Sequence, residues 1–125
     1  MDEYNKGTYE AYYLPENIVV LISARTYSSG YTLAALLYKS GATIVGVPSA
    51  QAGNCFSDTI GFELSHSGIL GYLSHKRIIM FPGELEMGRI LLPHYELTYD
   101  KFSFYQFDPN ASVLLALEIL PRLNN

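Results

Sequence analysis

Asn17-Ile18-Val19-Val20-Leu21-Ile22-Ser23, followed by Ala24-Arg25-Thr26-Tyr27-Ser28-Ser29-Gly30, sets the architecture to expect. A continuous β-branched and aliphatic run shows no alternation between faces, so it reads as a strand covered on both sides and central to its sheet. The polar connection after it is short. Beyond it, Leu33, Ala34, Leu36, Leu37 and Tyr38 recur at helical spacing between Tyr31 and Lys39. Gly41 stands where a helix ends in a left-handed residue, and Ala42-Thr43-Ile44-Val45-Gly46-Val47 returns as a second buried strand. Strand, helix and strand make a βαβ unit.

Working outward, residues 1–17 are rich in Tyr, Glu and Asn and show no sustained period, so they read as a poorly ordered approach segment to a domain over 18–125. Residues 48–56 are small and polar, a loop at a strand end, where open α/β sheets place their ligands. Three strand-like runs follow at 59–64, 69–74 and 77–81, separated by Ser-His-Ser-Gly and His-Lys, and predict an antiparallel meander. Residues 82–88 read as a turn region and 95–98 as a last short extended piece. Asp108 and Pro109 open a terminal helix over 110–120, with an N-cap carboxylate and Pro at its first position, and with Val113, Leu114, Leu117 and Leu120 on one side. The fold class is mixed α/β.

A chain of 125 residues makes one domain with a core that needs no staples. Apolar residues at 49% and charged ones at 16% exclude a disordered tail. A net charge of -4 leaves no basic surface for phosphate neutralisation, so nucleic acid is not an expected partner. The longest apolar stretches, at 18–22 and 78–81, fall far short of the roughly 20 residues of a membrane span. No charged-then-apolar leader follows Met1. The single cysteine, Cys55, excludes an intrachain disulfide framework and a cysteine-rich zinc site. His66, His75 and His94 have no ligand spacing that suggests a metal, and no cofactor is expected.

Ser28 and Ser29 lie at the sharp connection between a strand and a helix N-terminus. A serine there is exposed, and the helix dipole favours a developing oxyanion. The same position suits a plain N-cap, so both readings stand. Cys55 reads either as a reactive thiol or as a small buried residue. The eleven tyrosines and six phenylalanines read either as strand packing or as the walls of a peptide groove.

The collinear order of Thr26-Tyr27-Ser28-Ser29, the helix, Val45-Gly46-Val47-Pro48-Ser49, Leu64-Ser65-His66-Ser67-Gly68 and Leu91-Leu92-Pro93-His94-Tyr95 resembles the C-terminal half of the tail-specific protease catalytic domain. That family includes the C-terminal processing peptidases and the tricorn core. The resemblance covers about residues 18–120 and implies a ClpP/crotonase-like core and serine-peptidase acyl-enzyme chemistry on protein or peptide substrates. It implies Ser28 as nucleophile, the Ser29 N–H as oxyanion donor, Glu86 (or less directly Glu84) as a supporting carboxylate, and Gly46, Pro48 and Ser49 bordering the substrate. It also leans towards an extracytoplasmic location.

The departures from the family pattern matter as much. Processing peptidases use a lysine base after the Val-Gly-Glu-Pro-Thr strand, and no Lys or Arg occurs here between Lys39 and Lys76. The resemblance is therefore to the tricorn-like branch, whose base is a histidine in the N-terminal half of the catalytic domain. That half is expected upstream of this chain, together with the second oxyanion donor, so the chain by itself is expected to be nearly inactive. A half-domain exposes core surface, which makes a homo-oligomer an expected partner state. His66, in a hairpin-like turn, His75, beginning a strand, and His94, where the family has Asp, read as surface or turn residues. Val47 stands in place of the usual Glu. These departures leave a second reading open, a non-catalytic peptide- or protein-binding domain on the same fold, and the Thr-Tyr-Ser-Ser turn weighs against a third, an acyl-CoA enzyme.

Overall fold

The computed structural model describes residues 17–123. The approach segment expected over residues 1–17 lies outside them but for Asn17. The βαβ unit forms as the sequence predicts: β1 (Val19–Ile22), α1 (Ser29–Lys39) and β2 (Thr43–Gly46), with β1 and β2 parallel in the register Val19 to Thr43. Gly41 takes φ +90°, Ala42 N–H donates to Leu37 O at 2.9 Å and Gly41 N–H to Tyr38 O at 2.9 Å, so the last carbonyls of α1 are satisfied by a Schellman turn.

The centre of the sheet is β2. The short β5 (Tyr95–Glu96) pairs parallel on its other side, giving the order β1-β2-β5, and β1 is an edge strand among the described residues. The expectation that β1 is central and doubly buried is therefore corrected: Leu21 is 44% exposed, while Ile44 and Val45 of β2 are both fully buried. Successive strand residues point to opposite faces. Ile44 packs with Ile22, Tyr31, Ala34, Ala35, Phe81 and Leu91, and Val45 with Leu115, Ala116 and Ile119 of α4 (Ala111–Leu123). Helices thus cover both faces.

Both helices bury a face other than the one their large residues suggest. Tyr31, Ala34 and Ala35 of α1 face the sheet, whereas Leu33 and Leu36 are 60% and 52% exposed. In α4 Val113, Leu114 and Leu117 of the expected stripe are exposed and Leu120 is half-buried, while Ala111, Leu115, Ala116 and Ile119 are buried. Alanines let a helix axis approach the strands closely, and that geometry outweighs the larger transfer energy of the leucines left outside. α4 also starts one residue later than expected. Asp108 does accept a main-chain bond, from Asn110 N–H at 2.7 Å, in the turn that precedes the helix.

The expected three-run meander is a single hairpin, β3 (Asn54–Glu63) against β4 (Leu70–Ile79). Ser-His-Ser-Gly is its turn, with Gly68 at φ +67°. His75 and Lys76 are not a connection but lie inside β4: the ladder misses only the pair of His75 with Asp58, which has φ +49°, and keeps its register on either side, with Ser57 facing Lys76 and Thr59 facing Ser74, while Lys76 reaches Asp58 at 3.2 Å. The region expected as a turn at 82–88 contains the one-turn helix α2 (Leu85–Arg89), and a further helix, α3 (Tyr99–Phe104), follows β5.

Lys101 of α3 donates to both oxygens of the Glu118 carboxylate on α4, at 3.0 and 2.9 Å, and the Tyr105 hydroxyl donates to it at 2.6 Å. The bond from Lys101, then that from Tyr105, holds the Glu118 carboxyl below its ordinary value of 4.5. A carboxyl lowered on folding stabilises the fold above its unfolded pKa, and this is lost as pH falls through the folded value. The contact of α3 with α4 should therefore loosen on acidification below pH 4.5. Tyr105 near-ultraviolet dichroism should report that transition in the wild type and lose it in Glu118→Gln.

Candidate active site

After β1 the chain reverses in a turn where Thr26 N–H donates to Ser23 O at 2.8 Å and Ser23 N–H to Thr26 Oγ1 at 2.9 Å. It then enters α1 through Ser28, at φ +55° and ψ -123°. This lies outside the left-handed helical well that a non-glycine residue occasionally visits, and such a conformation costs about 1–3 kcal/mol. Two bonds hold it. Ser28 N–H donates to Gln51 Oε1 at 2.5 Å, and Ser28 O accepts from Thr32 N–H at 2.9 Å.

Ser28 stands at the N-cap position of α1, yet its side chain makes no capping bond. Its hydroxyl is exposed at the strand-to-helix turn. A sharp, strained strand-to-helix turn is also how the nucleophile elbow of α/β-hydrolases exposes its serine. The Ser29 N–H is a first-turn donor, and no carbonyl among the described residues accepts it. Both serines open onto a groove of about 680 Å³ between α1 and β3.

Gln51 is the residue that sequence reasoning missed. The only signal for it was its place in the small polar loop 48–56. Its position depends on Ser49, which is fully buried: Ser49 Oγ donates to Gln51 O at 3.2 Å and accepts from Leu91 N–H at 3.1 Å. Ser49 therefore positions Gln51 rather than lining the groove. Gly46 and Pro48 do not line it either. Gly46 has φ +129°, and a Cβ there would fall on the carbonyl oxygen of Ile22.

The remaining candidates are dispersed. Glu86 is exposed in α2, with Glu84 at its N-cap, and neither lines the groove. α2 leans on β3 through Gly88, whose missing side chain leaves room for the Asn54 amide. His66 is at the hairpin tip, its Nδ1 3.1 Å from Ser65 Oγ. His75 Nδ1 bonds Asp58 O at 2.7 Å. His94 is built into the sheet: its Nδ1 accepts from Ile44 N–H at 2.9 Å, its own N–H donates to Ile44 O at 2.8 Å, and its ring stacks on Tyr38. That Nδ1 bond requires the proton on Nε2.

Cys55 is half-buried and borders the groove. Close to it lies the fully buried Tyr31 hydroxyl, which has no hydrogen-bond partner among the described residues. Burial, then Cys55, pushes that hydroxyl above its ordinary 10.0. Among the described residues no three His, Cys, Asp or Glu side chains are placed to hold a metal ion, and no helix is long and apolar enough to cross a membrane.

No protein-family model matches the chain, and no curated protein or solved structure does so. The chemistry is therefore argued from the geometry. A serine with its hydroxyl uncapped and an adjacent free amide can attack a carbonyl and hold the resulting oxyanion, provided a base takes the proton. Among the described residues lining the groove none is a histidine or a lysine.

Gly46→Ala should lower stability by about 3 kcal/mol, through overpacking against β1 together with the cost of its positive φ. Urea unfolding measures this. A change below about 1 kcal/mol would mean that β1 and β2 are not held as closely as the ladder requires.

Proposed function

We propose that this chain carries the nucleophile half of a serine peptidase active site, within a ClpP/crotonase-like core. One observation carries the reading: Ser28 occupies a strained backbone conformation at a helix N-terminus without forming the cap bond that would otherwise explain a serine there. In this reading Ser28 Oγ attacks the scissile carbonyl as its proton passes to a base, and the Ser29 N–H stabilises the oxyanion. Collapse of the tetrahedral intermediate breaks the C–N bond, and the base returns the proton to the leaving amine. Water then attacks the acyl-enzyme by the same route and frees Ser28. The base is a histidine supplied by polypeptide outside residues 17–123. The substrate is an unfolded or C-terminal segment of another protein.

A second reading, a non-catalytic binding domain on the same fold, is favoured by the lack of a histidine or lysine among the described groove residues. The two differ in what Ser28 does. In the full-length protein Ser28→Ala should lower peptide hydrolysis by at least about a thousandfold without changing peptide affinity. A fluorophosphonate probe should label Ser28 there and label the 125-residue chain only slowly. Hydrolysis that survives Ser28→Ala, or rapid labelling of the isolated chain, would sink the proposal.

A further inference from the structure

The two faces of the β3–β4 hairpin are unlike. One looks towards α1: Cys55, Ser57, Ser74 and Ile78 are half-buried on it and border the groove at Ser28. The other turns away, and alternation places on it Ile60 opposite Leu73 and Phe62 opposite Gly71. Leu64 and Ile69 extend it at the turn, joined by the bond from Leu64 N–H to Ile69 O at 2.9 Å. From Thr59 to Leu73 every residue but Gly71 is exposed, so the outer half of the hairpin stands clear of the other described residues. Gly71 makes its outward face flat. A Cβ there would fall on the Phe62 ring, which lies across β4 in its place.

Towards the base the same face continues in Ile79 and in Phe56, which also borders the groove. One polar row lies between the two stretches, and its groups are satisfied within the hairpin. Asp58, at φ +49°, gives its carboxylate to Lys76 at 3.2 Å, and its carbonyl accepts from His75 Nδ1 at 2.7 Å. Covering that row therefore leaves neither group without a partner. Arg77, beside Phe56 on its row, has a stem long enough to lie along the apolar surface with its guanidinium at the rim.

We infer that this outward face is a dimer interface, on which the hairpin of a second copy of the chain packs face to face. Area is the first argument. At about 200 Å² for a residue of this size, the five outer apolar residues at 48–65% exposure offer about 550 Å² per copy, at the upper end of what monomers leave in water. Two copies would cover about 1,100 Å² from these alone and about 1,500 Å² with Phe56 and Ile79, above the roughly 1,000 Å² that a specific interface needs. Shape is the second. A two-fold contact requires a face that complements itself, and two flat apolar sheets stack at about 10 Å. The outer rows also carry no charge with which to select a foreign partner. Polypeptide that completes the Ser28 site has to reach the groove, on the opposite face of the hairpin, so the dimer leaves that side open.

Sedimentation of the full 125-residue chain between about 1 and 100 μM tests this, with a species of twice the chain's mass expected to grow with concentration. Leu73→Asp puts a charge in the middle of the face and should weaken association at least about a hundredfold with circular dichroism unchanged. Tyr72→Asp, at an exposed neighbour on the other face, should leave it unaltered. Nuclear Overhauser contacts between labelled and unlabelled wild-type copies at the Ile60 and Leu73 methyl groups are expected too and need no variant. A chain that stays monomeric over that range overturns the inference, as does a dimer that survives Leu73→Asp or is lost with Tyr72→Asp. So does a full-length protein that is monomeric with Leu73 shielded by its own upstream polypeptide, or a chain that leaves the dimer for phosphatidylcholine vesicles. None of these outcomes bears on Ser28, which is judged by hydrolysis alone.

Discussion

Strand β2 must be covered on both faces at once, and the rest of the molecule follows from that demand. Ile44 and Val45 are adjacent and fully buried, so each needs its own layer. Tyr31, Ala34 and Ala35 of α1 supply one, and Leu115, Ala116 and Ile119 of α4 the other. The main chain of β2 is equally committed. β1 takes one edge, while His94 and Leu97 bond Ile44 and Gly46 on the other. An imidazole nitrogen stands in for a missing strand carbonyl there, which gives His94 a structural task that a carboxylate could also perform.

The candidate site inherits its geometry from this arrangement. Close approach of β1 to β2 is possible because Gly46 has no side chain, and it brings the end of β1 beside the loop that leaves β2. Ser49 is bonded to Leu91 and to Gln51 O within that loop, and Gln51 in turn grips the Ser28 amide. Each link is a buried or directional hydrogen bond of about 1 kcal/mol. Together they are comparable to the strain at Ser28, which a single contact could not hold.

How much of this is legible in the sequence depends on the range of the interaction concerned. The βαβ unit is legible, because a β-branched run, a helical period and a terminal Gly41 are local signals. The sheet order is not, since residues 18–22 (Ile-Val-Val-Leu-Ile) are the more apolar run against 43–46 (Thr-Ile-Val-Gly), yet the pairing with Tyr95–Glu96 makes β2 the centre. Helix faces are hidden for a related reason. Leu33, Leu36, Val113 and Leu117 look like core by size, but helix-to-sheet distance favours the alanines. The hairpin reads as three runs because His75-Lys76 is polar, yet in a two-stranded ribbon with one face largely exposed polar residues do not mark a break. Ser28 was legible as a residue of interest but not as a strained one, and Gln51 was invisible because its partner lies 23 residues away.

The lack of a cap bond at Ser28 is more informative than its exposure. An N-cap serine contributes about 1 kcal/mol when its oxygen accepts a first-turn amide. Here the chain forgoes that contribution and also accepts strain of about 1–3 kcal/mol, against a total stability for such a domain of about 5–15 kcal/mol. A relaxed serine with ordinary φ and ψ would cap α1 and remove both costs, and nothing in the packing of Tyr31, Ala34 and Ala35 prevents it, since that face of the helix points away from the groove. The conformation persists because Gln51 and Ser49 enforce it. Its effect, among the described residues, is to leave the Ser28 hydroxyl without a cap bond and the Ser29 amide without an accepting carbonyl at the border of one groove, an arrangement that stabilises nothing in the folded chain by itself.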